Sequence, residues 1–189
     1  MPQHTPDPTL IRRTALLCCH FVRNVAYYRV GYVTEDGQGR LKYNSEFGRT
    51  VNGNFLDVAV LEWCKVFVDR DGRHRWTRIL RTCADQQAFV AQLLQTLGLP
   101  ADDWNRYRQS VARYRDKFVA HLDSDDVMPI PNMDTALTAA YLFYSHLVRI
   151  APDGVLAPPG RVPLPADLPR YYATSADEAR VSYASRPNP

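Results

Sequence analysis

Between about Asn54 and Val68 the chain carries Phe55, Leu56, Val58, Val60, Leu61, Trp63, Val66 and Phe67, spread almost all the way round a helical axis. A helix that is apolar on nearly every side has to be enclosed by other elements. The other apolar residues recur every three or four positions and form no convincing run of strands, so the enclosing elements are helices. Glu62 interrupts the segment on the stripe of Phe55, Val58, Ala59 and Val66. A carboxylate there is either paired with an arginine or placed at a helix edge in water, because burying it alone is costly.

Four further helices follow from periodicity and punctuation. The first runs from about Pro8 to Tyr32, with Leu10, Thr14, Leu17, Phe21, Val25 and Tyr28 on one stripe. Asp7 before Pro8 is a start signal, a capping carboxylate followed by a proline suited to the first turn. The glycine-rich, polar stretch Thr34 to Thr50 reads as a loop. The third helix covers about Cys83 to Leu97 and stops at Gly98 and Pro100. The fourth is capped by Asp102 or its neighbour and reaches His121, where Asp123, Ser124, Asp125 and Asp126, then Pro129 and Pro131, break the chain. The fifth runs from about Met133 to Ile150, with Leu137, Ala140, Tyr141, Tyr144, Leu147 and Val148 inward. Eight of the 14 prolines fall after Ile150, and periodicity is lost there. The expected architecture is all-α, a bundle of four to five helices over residues 1–151. Residues 152–189 are expected to form an extended proline-rich tail, packed only in part through Tyr171 and Tyr172.

Hydrophobic residues make up 46% of the 189 and charged residues 23%, as in an ordinary globular chain. No apolar stretch is long enough to span a membrane, and the polar, proline-rich MPQHTPDP start does not read as a signal peptide. Cys18, Cys19, Cys64 and Cys83 lack the paired spacing of a zinc site, and three of them sit in apolar helical patterns. The expectation is a soluble, cytoplasmic protein with reduced thiols. The net charge of +3 is mild, but Arg70, Arg73, Arg75, Arg78 and Arg81 cluster between Asp69 and Arg81. Such a run is either a solvated loop or an electrostatic landing surface for a phosphate backbone.

The fourth helix carries the chemistry. With Phe118 taken as the inward direction, Trp104, Tyr107, Val111 and Tyr114 form its apolar stripe. Arg115 then lies about 60° to one side and His121 about 60° to the other, roughly 9 Å apart along the axis. Arginine is a permanently charged planar fork for phosphate. Histidine exchanges a proton near neutral pH. On a straight helix the two flank the stripe without meeting. They can share one phosphate only if the helix loosens at His121 or a second subunit completes the site. Asp116 and Lys117 point further round, toward solvent.

The segment RDKFVAHLD, Arg115 to Asp123, resembles the signature helix of HEPN domains, small all-α proteins whose ribonuclease members carry an arginine and a histidine at this spacing. LEWCKVF, Leu61 to Phe67, is similar to the abortive-infection branch of that superfamily, as is the helix order. The likeness spans about residues 8–151. It implies a metal-independent endoribonuclease without a cofactor, working as a homodimer, and a role as toxin or phage-defence effector. His121 is then the general acid or base, Arg115 holds phosphate, and Asp116 orients one of them. Lys117, Arg70, Arg73, Arg75 and Arg78 become RNA contacts, and Glu62 either positions Arg115 or satisfies a buried charge. Where AMP-silenced relatives place a tyrosine two residues after the histidine, this chain has Asp123, which argues against an antitoxin partner of the nucleotidyltransferase type. Two alternatives stand beside this: a non-catalytic HEPN module binding nucleotide, RNA or protein, and a plain helical scaffold.

Overall fold

The computed structural model describes residues 7–32, 45–120 and 129–184. Among them are six α-helices and no strand: α1 (Pro8–Tyr32), α2 (Glu46–Phe67), α3 (Cys83–Leu97), α4 (Ala101–Tyr114), α5 (Met133–Ile150) and α6 (Leu168–Ala184). A 3-10 turn, Trp76–Arg78, lies in the connector from α2 to α3, and α4 continues into a π-helical turn, Arg115–Ala120. None of these helices is long and apolar enough to cross a membrane.

The helices whose ends agree with the sequence reading have strong local stop and start signals. The Asp7 carboxylate accepts the Thr9 N–H at 2.9 Å at the head of α1. Thr82 accepts the Asp85 N–H at 3.0 Å and donates its hydroxyl back to the Asp85 carboxylate at 2.6 Å, closing the start of α3 from both sides. Gly98 ends α3 at φ +63°, and the Leu99 N–H returns to the Leu94 carbonyl. A residue with a Cβ is strained in that left-handed conformation. Asn132 caps α5 through the Asp134 N–H at 2.9 Å.

Three expectations are corrected. α2 begins at Glu46 rather than near Asn54, because the Ser45 hydroxyl caps it by accepting the Gly48 N–H at 2.9 Å. Asn52 in this added stretch donates to the Tyr28 carbonyl at 3.1 Å and ties α2 to α1. The cap of α4 is Pro100, not Asp102; Asp102 and Asp103 occupy the first turn, where negative charge suits the helix dipole. The C-terminal segment is not extended throughout, since Leu168–Ala184 is helical and lies along α1. Its buried residues Leu168, Ser175, Ala176 and Ala179 keep helical spacing. Three of the four are small, so burial there rests on close approach and shows little as hydropathy. Arg12 of α1 holds the proline-rich approach, donating to the Val155, Leu156 and Val162 carbonyls at 3.2, 2.9 and 3.3 Å.

The core is a chain of aromatic rings centred on α2. Trp63 meets Phe67 of its own helix at 5.0 Å, and Trp104 and Tyr107 of α4 at 6.0 and 5.8 Å. Phe67 passes the contact to Phe143 of α5, Phe143 to Phe89 of α3, and Phe89 to Trp76 of the connector. The Trp63 indole N–H donates to the Ala136 carbonyl at 3.2 Å, so the buried polar end is satisfied. Enclosure is not complete along α2, because Phe47 and Val58 remain exposed. Replacing Trp63 by Ala is expected to cost about 4 kcal/mol, read as a lower urea midpoint. A loss below about 1 kcal/mol would show that the ring network does not hold the bundle together.

Candidate functional site

α4 is an amphipathic helix that turns its basic face to the end of α2. The last carbonyls of a helix lack internal partners. At α2 the Cys64 carbonyl accepts the N–H groups of both Val68 and Asp69 at 2.9 Å, and the Phe67 carbonyl accepts Nε of Arg108 at 2.8 Å. Arg108 thus closes the negative end of α2 with a positive charge. Seven residues later, about 20° round the axis, Arg115 donates to the Asp69 carboxylate and, through Nε, to Asp116 at 2.8 Å. The Arg115 side chain is 21% exposed and the Asp116 side chain 58%. Burial works against the Arg115 charge, but Asp116, the Cys64 sulfur and Asp69 together hold the guanidinium above its ordinary range. Cys64 beside it is a buried thiol, pushed up to about 12 by desolvation.

Winding changes at this residue. The straight-helix geometry expected as far as His121 ends at Tyr114, and Arg115 opens the π turn. Tyr114 and Phe118 stack across the change, with ring centroids 5.6 Å apart and planes 17° from parallel. π segments are uncommon and concentrate at functional sites. Asp116 is exposed and Lys117 half-buried. His121 and Asp123 lie outside the described residues.

Glu62 is not the partner of Arg115. It pairs with Lys65 at 3.2 Å, and its charge acts on His20 of α1 and His74 of the connector. The carboxylate that reaches Arg115 from the end of α2 is Asp69, because the two hydrogen bonds to the Cys64 carbonyl curl the chain around that end toward α4. Gly72 makes this curl feasible. A Cβ at that position would stand 2.9 Å from the Asp69 Cβ and 3.2 Å from the Asp69 carbonyl oxygen.

The arginines of the connector do not form one surface. Arg75 donates to the Arg70 carbonyl at 2.9 Å, and both lie close enough to Arg108 to lower its proton affinity, although burial is the larger cause. Arg73 and Arg78 border a different feature, a cavity of about 700 Å³ between the start of α1 and the connector. Arg13, His74 and Arg81 complete its basic lining, and Asp7 and Asp71 are its two carboxylates. Burial first, then Arg13, Arg73 and Lys65, push His74 below the ordinary histidine range, against the pull of Glu62. The divide comes from the 3-10 turn, where Trp76 and the following Ile79 and Leu80 are buried and leave Arg78 and Arg81 facing out.

Asp69, Arg108 and Arg13 were not singled out from the sequence. Arg108 had a usable signal in its spacing from Arg115, two helical turns along one face. Arg13 had none, since its role depends on α1 packing beside the connector. The arrangement offers two sets of phosphate-matching guanidinium groups. One is braced by carboxylates at the π turn; the other lines a concave surface. Among the described residues no three His, Cys, Asp or Glu side chains gather as a metal ion's ligands would.

Substituting Gly72 by Ala is expected to lower stability by about 1–2 kcal/mol through crowding against Asp69, measured by urea unfolding; an unchanged midpoint would show that the turn has room to spare. Compared with models of known protein families, with curated proteins and with solved structures, the chain matches none.

Proposed function

We propose that the chain is a metal-independent endoribonuclease of the HEPN type, acting as a homodimer. The observation that carries the reading is Arg115. It stands at the opening of a π turn, positioned by two carboxylates, six residues before His121 in the segment RDKFVAHLD. A guanidinium has five N–H donors in a fixed fork, and Asp69 and Asp116 leave some of them for phosphate oxygens. A scissile phosphate drawn to Arg115 has its developing charge offset in the transition state. His121 takes the proton from the RNA 2′-hydroxyl as that oxygen attacks the adjacent phosphorus, or supplies one to the departing 5′-oxygen. The bond from phosphorus to the 5′-oxygen breaks, leaving a 2′,3′-cyclic phosphate and a 5′-hydroxyl. Asp116 orients the guanidinium; Lys117, Arg70 and Arg75, with Arg108, supply charge for neighbouring phosphates. A role as toxin or phage-defence effector, with an antitoxin protein as a further partner, belongs to the same reading.

A second reading has its own support. The same two carboxylates neutralise Arg115, and Asp69 makes it a strut between the end of α2 and the π turn. On that reading the chain is a non-catalytic module or a helical scaffold.

The two separate in one assay with labelled RNA in EDTA. The enzyme reading expects cleavage to cyclic-phosphate ends, lost in both Arg115→Ala and His121→Ala while circular dichroism shows an intact fold. Cleavage that survives either substitution, or its absence from the unaltered chain, would sink it. Asp69→Asn discriminates further. It is expected to lower stability by no more than about 1 kcal/mol, as for a half-exposed ion pair, and to preserve RNA affinity. Arg115→Ala is expected to weaken RNA binding about tenfold, as loss of one charge-assisted contact requires. A scaffold predicts the reverse pattern, with stability lost in both variants and RNA affinity unmoved.

A further inference from the structure

We propose that the cavity between the start of α1 and the connector binds a compact phosphate-rich ligand, a terminal phosphate or polyphosphate chain, at a site separate from the Arg115 junction. Its volume of about 700 Å³ falls in the range of roughly 300–1,000 Å³ typical of small-molecule sites. Four guanidinium groups face it, from Arg13, Arg73, Arg78 and Arg81, against two carboxylates, an excess of two positive charges (four minus two). Among the described residues none of these four arginines is in an ion pair with a carboxylate. Asp7 is already engaged as the cap of α1 through the Thr9 N–H. Thr77 and His74, both half-buried, add hydrogen-bonding groups to the wall.

The wall is anchored. Trp76, Ile79 and Leu80 are buried in the core, so the 3-10 turn presents Thr77 and Arg78 from a fixed base. Arg81 donates to the Arg78 carbonyl at 3.4 Å, which keeps the two side by side. Forked guanidinium groups match phosphate oxygens two at a time. A diester backbone brings one charge per phosphate, spread along an extended chain, and matches these gathered guanidinium groups less well. The net excess of two positive charges within one concave volume is what favours a group carrying two or more negative charges close together. That chemistry has two sources, a free nucleotide and the 5′ end of an RNA.

The 189-residue chain would be titrated calorimetrically with inorganic tripolyphosphate at near-physiological salt. Saturable binding is expected, weakened about tenfold or more by Arg13→Ala and by Arg78→Ala, as loss of a charge-assisted contact implies. Both side chains are exposed, so the core is untouched by either substitution. Arg115→Ala is expected to bind tripolyphosphate like the unaltered chain, because Arg115 lines no part of the cavity. ATP binding without adenosine binding would assign the free nucleotide. A preference for RNA with a 5′-triphosphate over the same RNA with a 5′-hydroxyl would assign the RNA end. The proposal is overturned if tripolyphosphate does not bind or if neither substitution weakens it; RNA that binds equally with and without its terminal phosphate excludes the RNA end as the source. None of these outcomes bears on cleavage at Arg115 and His121, which is read from the products in EDTA.

Discussion

Trp63 sits where three helices meet, and the junction at Arg115 follows from it. Its ring packs on Phe67 along α2, and on Trp104 and Tyr107 of α4, while its N–H reaches α5 at Ala136. Aromatic side chains bury large areas in a few fixed geometries, so such a network specifies relative helix placement as well as stability. With α4 set against α2, the end of α2 faces the basic side of α4. That places Phe67 within reach of Arg108 and Asp69 within reach of Arg115.

The junction built there has a dual electrostatic character. Arg108 answers the negative end of a helix; Arg115 answers two carboxylates. A half-buried arginine without partners would carry a desolvation cost, whereas one whose donors were all taken would have none left for another anion. Arg115 lies between these limits. Its Asp116 partner is well exposed, so water or an incoming anion can compete for the guanidinium. The change to π winding at the same residue breaks the regular helical bonding pattern where the charge is concentrated.

The connector shows how one run of sequence can serve two surfaces. Arg70 and Arg75 remain near Arg108, while Arg73, Arg78 and Arg81 turn toward α1. The pivot is apolar: Trp76, Ile79 and Leu80 enter the core and force the residues between and beyond them outward. A count of arginines along the chain suggests a single landing surface. Burial of three hydrophobic residues divides it.

The all-α class, and the limits of α1, α3 and α5, were legible because they depend on local chemistry. Periodicity, the Asp7 and Thr82 caps and the left-handed Gly98 act within a few residues of where they stand. The start of α2 was missed because glycines near Ser45 masked a cap. α6 was missed because its buried face is mostly Ala and Ser, whose burial leaves little trace in hydropathy. At the site, the sequence by itself determined that an arginine stands six residues before a histidine, and that a basic stretch follows α2. Only the tertiary structure decided that Asp69, not Glu62, answers Arg115, that Arg108 closes α2, and that Arg13 joins the connector around a cavity. Those pairings join residues far apart in sequence. Which charges meet is set by how helices pack, and packing is written in ring contacts across the whole core.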